Sequence, residues 1–406
     1  MPKARATLFL LLTVVIDAMG IGLIMPVMPD LLRGLLGAEL SEAAVWGGVL
    51  SASFAVTQFL FGAFIGNLSD WFGRRPVLLA SLAVVTVDYI VMGLTQSVWI
   101  LLFGRLVGGV ASATQSTAAA YMADISPPDK KAANFGLLGA AFGVGFIFGP
   151  MLGGMLSEFG PRAPFFAAAI IAFMNLIYGI FVLPETVTDK IRRPLEWRRM
   201  NPFRALRHVG SLPGVGKLLV MFFFYQVAFM VYPTIWAYFT QEKFGWSARD
   251  VGLSLAAFGI GVAVVQGGLI RFIVPNLGEW RTVALGLSIA ISVFVCFGFV
   301  QQGWVIYLMI FLSTLGMMAQ PALQGIMSQA APDDAQGELQ GVLTGVGAIA
   351  SIVSPLIMTG VFGYFTRKGA LIYAPAAPFY LAALLDAIAL TIFLWAMADR
   401  NNKLVN

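Results

Sequence analysis

The segment GNLSDWFGRRPVLL, residues 66–79, holds every charged residue between positions 43 and 87. Long apolar runs flank it on both sides, and each is close to the roughly 20 residues that a helix needs to span a bilayer. Gly66 and Gly73 allow a tight turn and a close approach of the backbone. The segment therefore predicts a short charged loop that joins two membrane-spanning helices.

The charges of this loop predict a conformational latch. Asp70 is an anion that can meet a helix N-terminus or an arginine. Arg74 and Arg75 can hold a carboxylate, and Asp124, at the end of a later apolar run, is the natural partner. The alternative is a basic turn that only fixes the membrane topology.

The composition makes lipid the solvent for most of the chain. Of the 406 residues, 59% are hydrophobic and 11% are charged, whereas a soluble domain carries about 25% charged residues. One cysteine, Cys296, excludes a disulfide framework, and one histidine, His208, excludes a multi-histidine metal site. We predict no metal, no cofactor and no catalytic site, and the sequence contains no HExxH motif and no P-loop.

Twelve apolar runs predict twelve membrane-spanning helices, which we number α1 to α12 in chain order. Most connections between them are short, so consecutive helices are antiparallel neighbours. The runs lie near residues 7–28, 44–66, 77–94, 99–122, 132–156, 164–183, 215–240, 248–273, 282–300, 304–328, 337–365 and 375–397.

One long basic connection, residues 184–214, divides the helices into two sets of six, residues 1–183 and 215–406. Most lysines and arginines lie on the same side of the predicted membrane as this linker, which places the linker and both termini in the cytoplasm. The sequence GRRP (73–76) has a degenerate echo, GEWR (278–281), at the corresponding point of the second set. The echo indicates an internal duplication.

Four charged side chains lie well inside predicted helices, away from the helix ends, where such groups are costly and are functional candidates. Asp17 is in α1, Asp88 in α3, Arg105 in α4 and Asp386 in α12. Asp17 and Arg105 fit a proton-coupling network, because a carboxyl group can exchange a proton beside a fixed positive charge. Asp88 and Arg105 lie at equal depth and could instead form a structural ion pair. Because α12 is peripheral, we interpret Asp386 as structural or oligomer-facing.

Helix α5 carries closely spaced glycines. Gly139 and Gly143, and then Gly145 and Gly149, are each four residues apart, a spacing that lets helices pack backbone to backbone in lipid. Pro150 follows and permits a bend. The pattern is consistent with a role in transport direction or with close packing alone.

Aromatic residues recur on one face of α7. Tyr225, Tyr232 and Trp236 are seven and four residues apart, so they share a face, and Pro233 between them can break the helix. That face could bind a flat, partly apolar ligand or could simply pack in the core.

Several segments together resemble the drug/proton antiporters of the major facilitator superfamily, and in particular the bacterial tetracycline/proton antiporters. The resemblance implies an all-α integral membrane fold of twelve helices in two pseudo-symmetric six-helix bundles, with a substrate site near the membrane midplane. The segments are the loop at 66–79, DAMGIGLIMPVMP (17–29), GRLVGGVASAT (104–114), GLLGAAFGVGFIFGPMLGG (136–154), WAYFTQEKFGW (236–246), PALQGIMS (321–328) and QGELQGVL (336–343).

The resemblance also implies roles for individual residues. The acids of α1 and α3 and the arginine of α4 are matched by Asp17, Asp88 and Arg105. The glycine pattern of α5 matches the antiporter motif, which favours export. Gln58 and Gln266 match polar positions and could hydrogen-bond a substrate or another helix.

Two positions depart from the antiporters. Their α9 aspartate, which serves proton coupling, is matched here by Ala290, and their α8 histidine is matched by Val262. Neither replacement can bind a proton or a metal–drug chelate. The departures argue against tetracycline itself as the substrate.

We therefore predict a monomeric, proton-coupled antiporter of the bacterial inner membrane that exports an amphiphilic organic compound or a tetracycline-like drug. Its partners would be the small-molecule substrate, protons and the lipid bilayer, and we expect no nucleic acid. One alternative is a proton-driven carrier of a physiological compound such as a siderophore or metabolite. Another is a membrane receptor or scaffold that transports nothing, but the intact latch loop argues against it.

Overall fold

The structure is a computed structural model, and it describes residues 2–112, 114–127, 130–187, 192, 215–332 and 335–405. Twelve helices in this part of the chain are long and apolar enough to cross a membrane, which confirms the predicted number. They are α1 (Arg5–Ile24), α2 (Leu40–Phe72), α3 (Arg74–Leu94), α4 (Val98–Ile125), α5 (Ala133–Phe159), α6 (Ala163–Val182), α7 (Gly216–Phe244), α8 (Ala248–Leu277), α9 (Glu279–Phe299), α10 (Gly303–Ala330), α11 (Gln336–Thr366) and α12 (Ala377–Asp399).

Prolines explain interruptions in two of these helices. The regular turns of α7 stop at Phe229 and resume at Val231, just before Pro233. Proline has no N–H, so the carbonyl of Phe229 loses its usual donor four residues ahead. Helix α10 has a similar interruption: its regular turns stop at Gly316 and resume at Ala319, two residues before Pro321.

The loop predicted between α2 and α3 is shorter than expected. Helix α2 continues through Gly66 to Phe72, and α3 begins at Arg74, so the connection is Gly73 alone. The assignment of Gly66 to a tight turn was wrong. The turn needs only Gly73, whose φ of 116° lies in a region that favours glycine.

One compact unit consists of Met1–Ala38, Leu50–Pro202 and Ser247–Ala256. Within it, α1 packs along α5 and α6, and α3 packs on α4 and α6. Its core contains large, fully buried side chains such as Phe9, Leu10 and Tyr121. In lipid, helices associate mainly through van der Waals packing and hydrogen bonds, and Asn175 of α6 adds a buried 2.9 Å bond to Thr13 of α1.

The second unit consists of Glu39–Val49, Phe203–Trp246 and Ala257–Asn406. Here α7 packs on α11 and α12, and α9 packs on α10 and α12. This order repeats the first unit, in which α1 packs on α5 and α6, and α3 on α4 and α6. The predicted duplication is therefore visible in the helix pairing.

The predicted basic linker, residues 184–214, lies outside the described residues apart from 184–187 and Arg192. The division of the chain at this linker accordingly stays a prediction.

Candidate functional site

The first unit contains an ion pair between α3 and α4. Arg105 binds the carboxylate of Asp88, and Asp88 is only 6% exposed. The guanidinium of Arg105 also lies 5.2 Å from the centre of the Phe54 ring. The structure thus brings together the two residues that the sequence placed at equal depth.

Glycines of α4 make room for this pair. A Cβ atom at Gly104 would lie 2.6 Å from Oδ1 of Asp88, and one at Gly108 would lie 3.0 Å from Oδ2. The two glycines are one helical turn apart, so the carboxylate lies against bare backbone. Oδ1 of Asp88 and Nε of Arg105 have no hydrogen-bond partner among the described residues. Both glycines belong to the segment GRLVGGVASAT (104–114), whose sequence alone did not predict this role.

Asp17 lies near this pair without joining it. The structure gives Asp17 no ion pair and no hydrogen bond to another described residue. Tyr89 of α3 connects the two sites, because it interacts electrostatically with Asp17, Asp88 and Arg105. Its hydroxyl occupies the space that a side chain at Gly20 would fill, one turn after Asp17. Sequence reasoning missed Tyr89, although its position next to Asp88 was a signal.

Three glycines of α5 pack directly against α1. Side chains at Gly145, Gly149 or Gly153 would collide with the backbone of α1, so the helices touch backbone to backbone as the spacing predicts. The carbonyl oxygens they would meet are those of Val15, Met19 and Leu23. Gly153 continues the series and was not singled out from the sequence.

The other two glycines of the predicted α5 pattern, Gly139 and Gly143, have no such close contact. A Cβ atom at Gly139 or Gly143 would meet no atom of the described residues within 4 Å, so close packing with α1 does not explain them. Pro150 lies against two further glycines, Gly22 of α1 and Gly252 of α8, at positions where a side chain would collide with it. The proline is therefore packed on two sides by bare backbone.

The latch residues lie together at the Gly73 end of the first unit. Arg74 pairs with Asp70 one turn earlier in α2, and its Nε lies 3.2 Å from Oδ2 of Asp124 in α4. Its Nη1 donates to the hydroxyl of Ser69 at 3.1 Å. The predicted proximity of Arg74 and Asp124 is confirmed.

A further acid, Glu185, completes this region. Its carboxylate accepts the backbone N–H groups of Arg74 at 3.0 Å and Arg75 at 3.2 Å, and so caps the N-terminus of α3. The expectation that the Arg75 side chain holds a carboxylate was wrong. It donates instead to the carbonyl of Ile180 at 2.8 Å, because the end of α6 leaves carbonyls without helical partners. The position of Glu185 directly after an apolar run was the available signal.

The aromatic face of α7 is packed inside the second unit. The Tyr232 ring lies 5.0 Å from that of Phe258 and 5.3 Å from that of Phe294, and the Trp236 ring lies 5.4 Å from that of Phe297. Tyr232 and Trp236 are both buried. Of the two interpretations left open by the sequence, this geometry favours packing.

The two glutamines are exposed at the surface of their units. Gln266 lies in a π-helical turn, Val265–Leu269, a distortion that is frequent at functional sites. Ala290 is buried and Val262 is partly buried.

Asp386 does not face outward. It is 2% exposed within the second unit, so the interpretation as oligomer-facing was wrong. Two ring contacts between α9 and α12 define the position of Asp386 along the helix pair. The Phe297 ring contacts the Phe379 ring near one end of the pair, and the Trp280 ring stacks on the Phe393 ring near the other end. Asp386 is midway along α12 between these contacts and therefore lies near the level of Ala290 on α9.

No group of three or more His, Cys, Asp or Glu side chains that could hold a metal ion occurs among the residues the structure describes.

Twelve spanning helices in two similarly paired sets, with a buried arginine–carboxylate pair, define a membrane transporter. Residues 10–355 match the family model of the Major Facilitator Superfamily, and the chain belongs to this family. The major facilitator fold predicted from the resemblance is confirmed, and the family match indicates a transporter rather than an enzyme.

The relatives agree with the resemblance. The class C tetracycline resistance protein of Escherichia coli is 40% identical over 362 residues, which cover 89% of this chain and 91% of that protein. The class G protein of Vibrio anguillarum is 39% identical and covers 91% of this chain and 95% of its own length.

Solved structures share the fold. The human organic anion transporter MFSD10 (TETRAN) has a TM-score of 0.70 at 25% identity and covers 97% of this chain and 100% of that chain. The nucleoside transporter NupG has a TM-score of 0.81 at 10% identity, covers 97% and 99%, and supports the fold alone.

Proposed function

We propose that this transporter is a proton-coupled antiporter that exports an amphiphilic organic compound across the bacterial inner membrane. The observation that carries the proposal is the unpaired Asp17 beside the Asp88–Arg105 ion pair in one unit. The similarity to tetracycline resistance proteins supports a drug-like substrate. Ala290 and Val262 favour a compound other than a metal–tetracycline chelate.

In this proposal Asp17 exchanges the proton. Asp17 can bind and release a proton without breaking an ion pair, whereas Asp88 is held by a fixed cation. Arg105 supplies the permanent positive charge, and Tyr89 interacts electrostatically with Asp17 and with both members of the ion pair. The three functional candidates of the first unit then act as one electrostatic network.

The latch and the α5 motif would serve the conformational cycle. Arg74 holds carboxylates from α2 and α4 at once, so breaking these contacts can accompany a change of state. The charge distribution of the loops supports a cytoplasmic location for this end, the linker and both termini. Gln58 and Gln266 would bind polar groups of the substrate. We further propose that one chain is sufficient for transport.

The test is Asp17→Asn, measured in proteoliposomes as substrate flux under an imposed pH gradient. The amide keeps the shape of the side chain but cannot cycle a proton, so we expect pH-driven flux to be lost while substrate binding is partly kept. Asp30→Asn, a change of the same kind outside the spanning helices, is the matched control. Unchanged pH-driven flux in Asp17→Asn would exclude this acid as the coupling group.

A further inference from the structure

One buried acid is left without a role by the proposed mechanism. Asp386 lies in the middle of α12 and is almost fully enclosed by the second unit. Its Oδ1 atom has no hydrogen-bond partner among the described residues. A buried carboxyl oxygen without a partner is costly, and it needs an explanation.

Two tyrosines of α7 stand near this carboxyl group. Asp386 interacts electrostatically with the hydroxyl groups of both Tyr225 and Tyr232. Each of these hydroxyls is buried and also lacks a hydrogen-bond partner in the described part of the chain. Ser313 of α10 lies within hydrogen-bonding reach of the Tyr232 hydroxyl and donates its own hydroxyl to the carbonyl of Ile310 at 2.7 Å. The Asp386 carboxyl group and the two tyrosine hydroxyls are thus enclosed in the same unit.

No cation of the surrounding helices reaches this cluster. Helix α12 packs on α7, α9 and α11. The sequence has no ionisable side chain between Arg281 and Cys296 in α9, and none between Glu338 and Tyr364 in α11.

The lysines of α7 are engaged at its two ends. Lys217 forms an ion pair with Asp399, which is 13 residues beyond Asp386 or about 20 Å along the helix. Lys243 donates to the carbonyl oxygens of Phe297 and Gly298 at 2.9 and 2.7 Å. Neither lysine can neutralise an ionised Asp386.

The physical consequence concerns the proton. Burying an isolated carboxylate without a counter-charge costs far more than burying a neutral acid that can hydrogen-bond. A protonated Asp386 gains a donor, and each tyrosine hydroxyl can accept as well as donate. A protonated Asp386 can both donate to and accept from these hydroxyls, whereas an ionised Asp386 can only accept and keeps a buried charge without a counter-charge.

We propose that Asp386, with the hydroxyls of Tyr225 and Tyr232, is a proton-binding site of the second unit, and that the proton bound there is exchanged during transport. Proton binding by Asp386 is inferred from the burial and surroundings of this side chain. Exchange of the proton during transport rests on the proposed function, because it presupposes that protons drive the transporter. The site differs from that of Asp17 because it lies in the other unit and contains no arginine.

The first experiment measures the proton directly. Infrared spectra of the purified, lipid-reconstituted protein should contain the carbonyl stretch of a protonated carboxylic acid, which shifts in heavy water. That band should be missing from Asp386→Asn and present in Asp399→Asn, a matched change on the same helix whose side chain is 45% exposed. A full set of bands in Asp386→Asn would overturn the proposal without touching the proposed function.

The second experiment measures exchange of the proton. Flux driven by a pH gradient should be lost in Asp386→Asn, kept in Asp386→Glu and kept in Asp399→Asn. A thermal unfolding curve like that of the unaltered protein shows that a variant is folded. If Asp386→Asn fails to fold, Tyr225→Phe replaces it, and an altered pH dependence of flux is then expected.

The outcomes separate the two proposals. Normal pH-driven flux in a folded Asp386→Asn, or in Tyr225→Phe where that variant is used, overturns the exchange role and leaves the proposed function intact. Flux in the unaltered protein that ignores pH overturns the proposed function and the exchange role together, while the infrared band still decides whether Asp386 binds a proton. Flux driven by a sodium gradient would likewise overturn both the proposed function and the exchange role.

Discussion

The two units bury an acid in opposite ways. In the first, Asp88 lies against bare glycine backbone and binds Arg105. In the second, Asp386 is buried more deeply, and its polar neighbours are uncharged tyrosines. An adjacent cation favours the charged form of an acid, whereas an uncharged enclosure favours the neutral form. The role of a buried acid in a membrane protein is therefore defined by its partner and not by burial alone.

The same contrast appears at the connections between helices. Gly73 links α2 to α3 and Gly278 links α8 to α9, and both have positive φ, 116° and 78°. In the first unit the connection is followed by Arg74, which binds carboxylates. In the second it is followed by Glu279, which accepts from Gln329 at 3.1 Å. The duplication has kept the backbone geometry of the turn and lost its ion pairs.

The largest effect on stability should come from removing the arginine that pairs with Asp88. Arg105→Leu leaves Asp88 as an uncompensated buried charge, and we expect a loss of about 3–5 kcal/mol in the free energy of unfolding. The double variant Asp88→Leu/Arg105→Leu should recover most of this loss, since no charge remains buried. Denaturant unfolding in mixed micelles measures both values.

The acid of the second unit is the control for this prediction. Asp386→Leu removes a neutral group that has no cation to leave behind, so its effect on stability should be much smaller than that of Arg105→Leu. Equal losses in the two variants would show that the two acids are held in the same way.

A smaller effect should distinguish two kinds of glycine in α5. Gly149→Ala places a methyl group against the backbone of α1, and overpacking of this kind costs about 1–3 kcal/mol. Gly139→Ala is the matched control, because a methyl group there meets no described atom within 4 Å. Thermal unfolding should separate the two variants, and equal midpoints would contradict the backbone contact.

The sequence was sufficient for the helices and for the depth of the charged groups. Apolar runs of bilayer length predicted all twelve helices, and equal distance from a turn predicted the pairing of Asp88 with Arg105. These features depend on position along one helix or across one short turn. Hydropathy alone could therefore reveal them.

The sequence was insufficient for features that depend on which face of a helix meets a neighbour. Asp386 was interpreted as structural or oligomer-facing, and the second alternative was wrong because even a peripheral helix has an inner face. Tyr89 and Glu185 were missed for a related reason. Their roles come from contacts with Asp17 on α1 and with the N-terminus of α3, and these partners are distant in sequence or on other helices.

The smallest effect on stability should come from the latch. In Asp124→Asn, Arg74 keeps its contacts with Asp70 and Ser69, and a partly exposed ion pair contributes about 1 kcal/mol or less. Transport should nevertheless fall, since the contact between α2, α3 and α4 loses one of its two carboxylates. Gln329→Ala removes the hydrogen bond to Glu279 at the corresponding turn of the second unit, and we expect the flux of this variant to stay normal. Flux assays on membranes with matched protein levels compare the two variants. If both variants transport equally well, the ion pairs at Gly73 have no more function than the hydrogen bond at Gly278, and the charged loop serves topology alone.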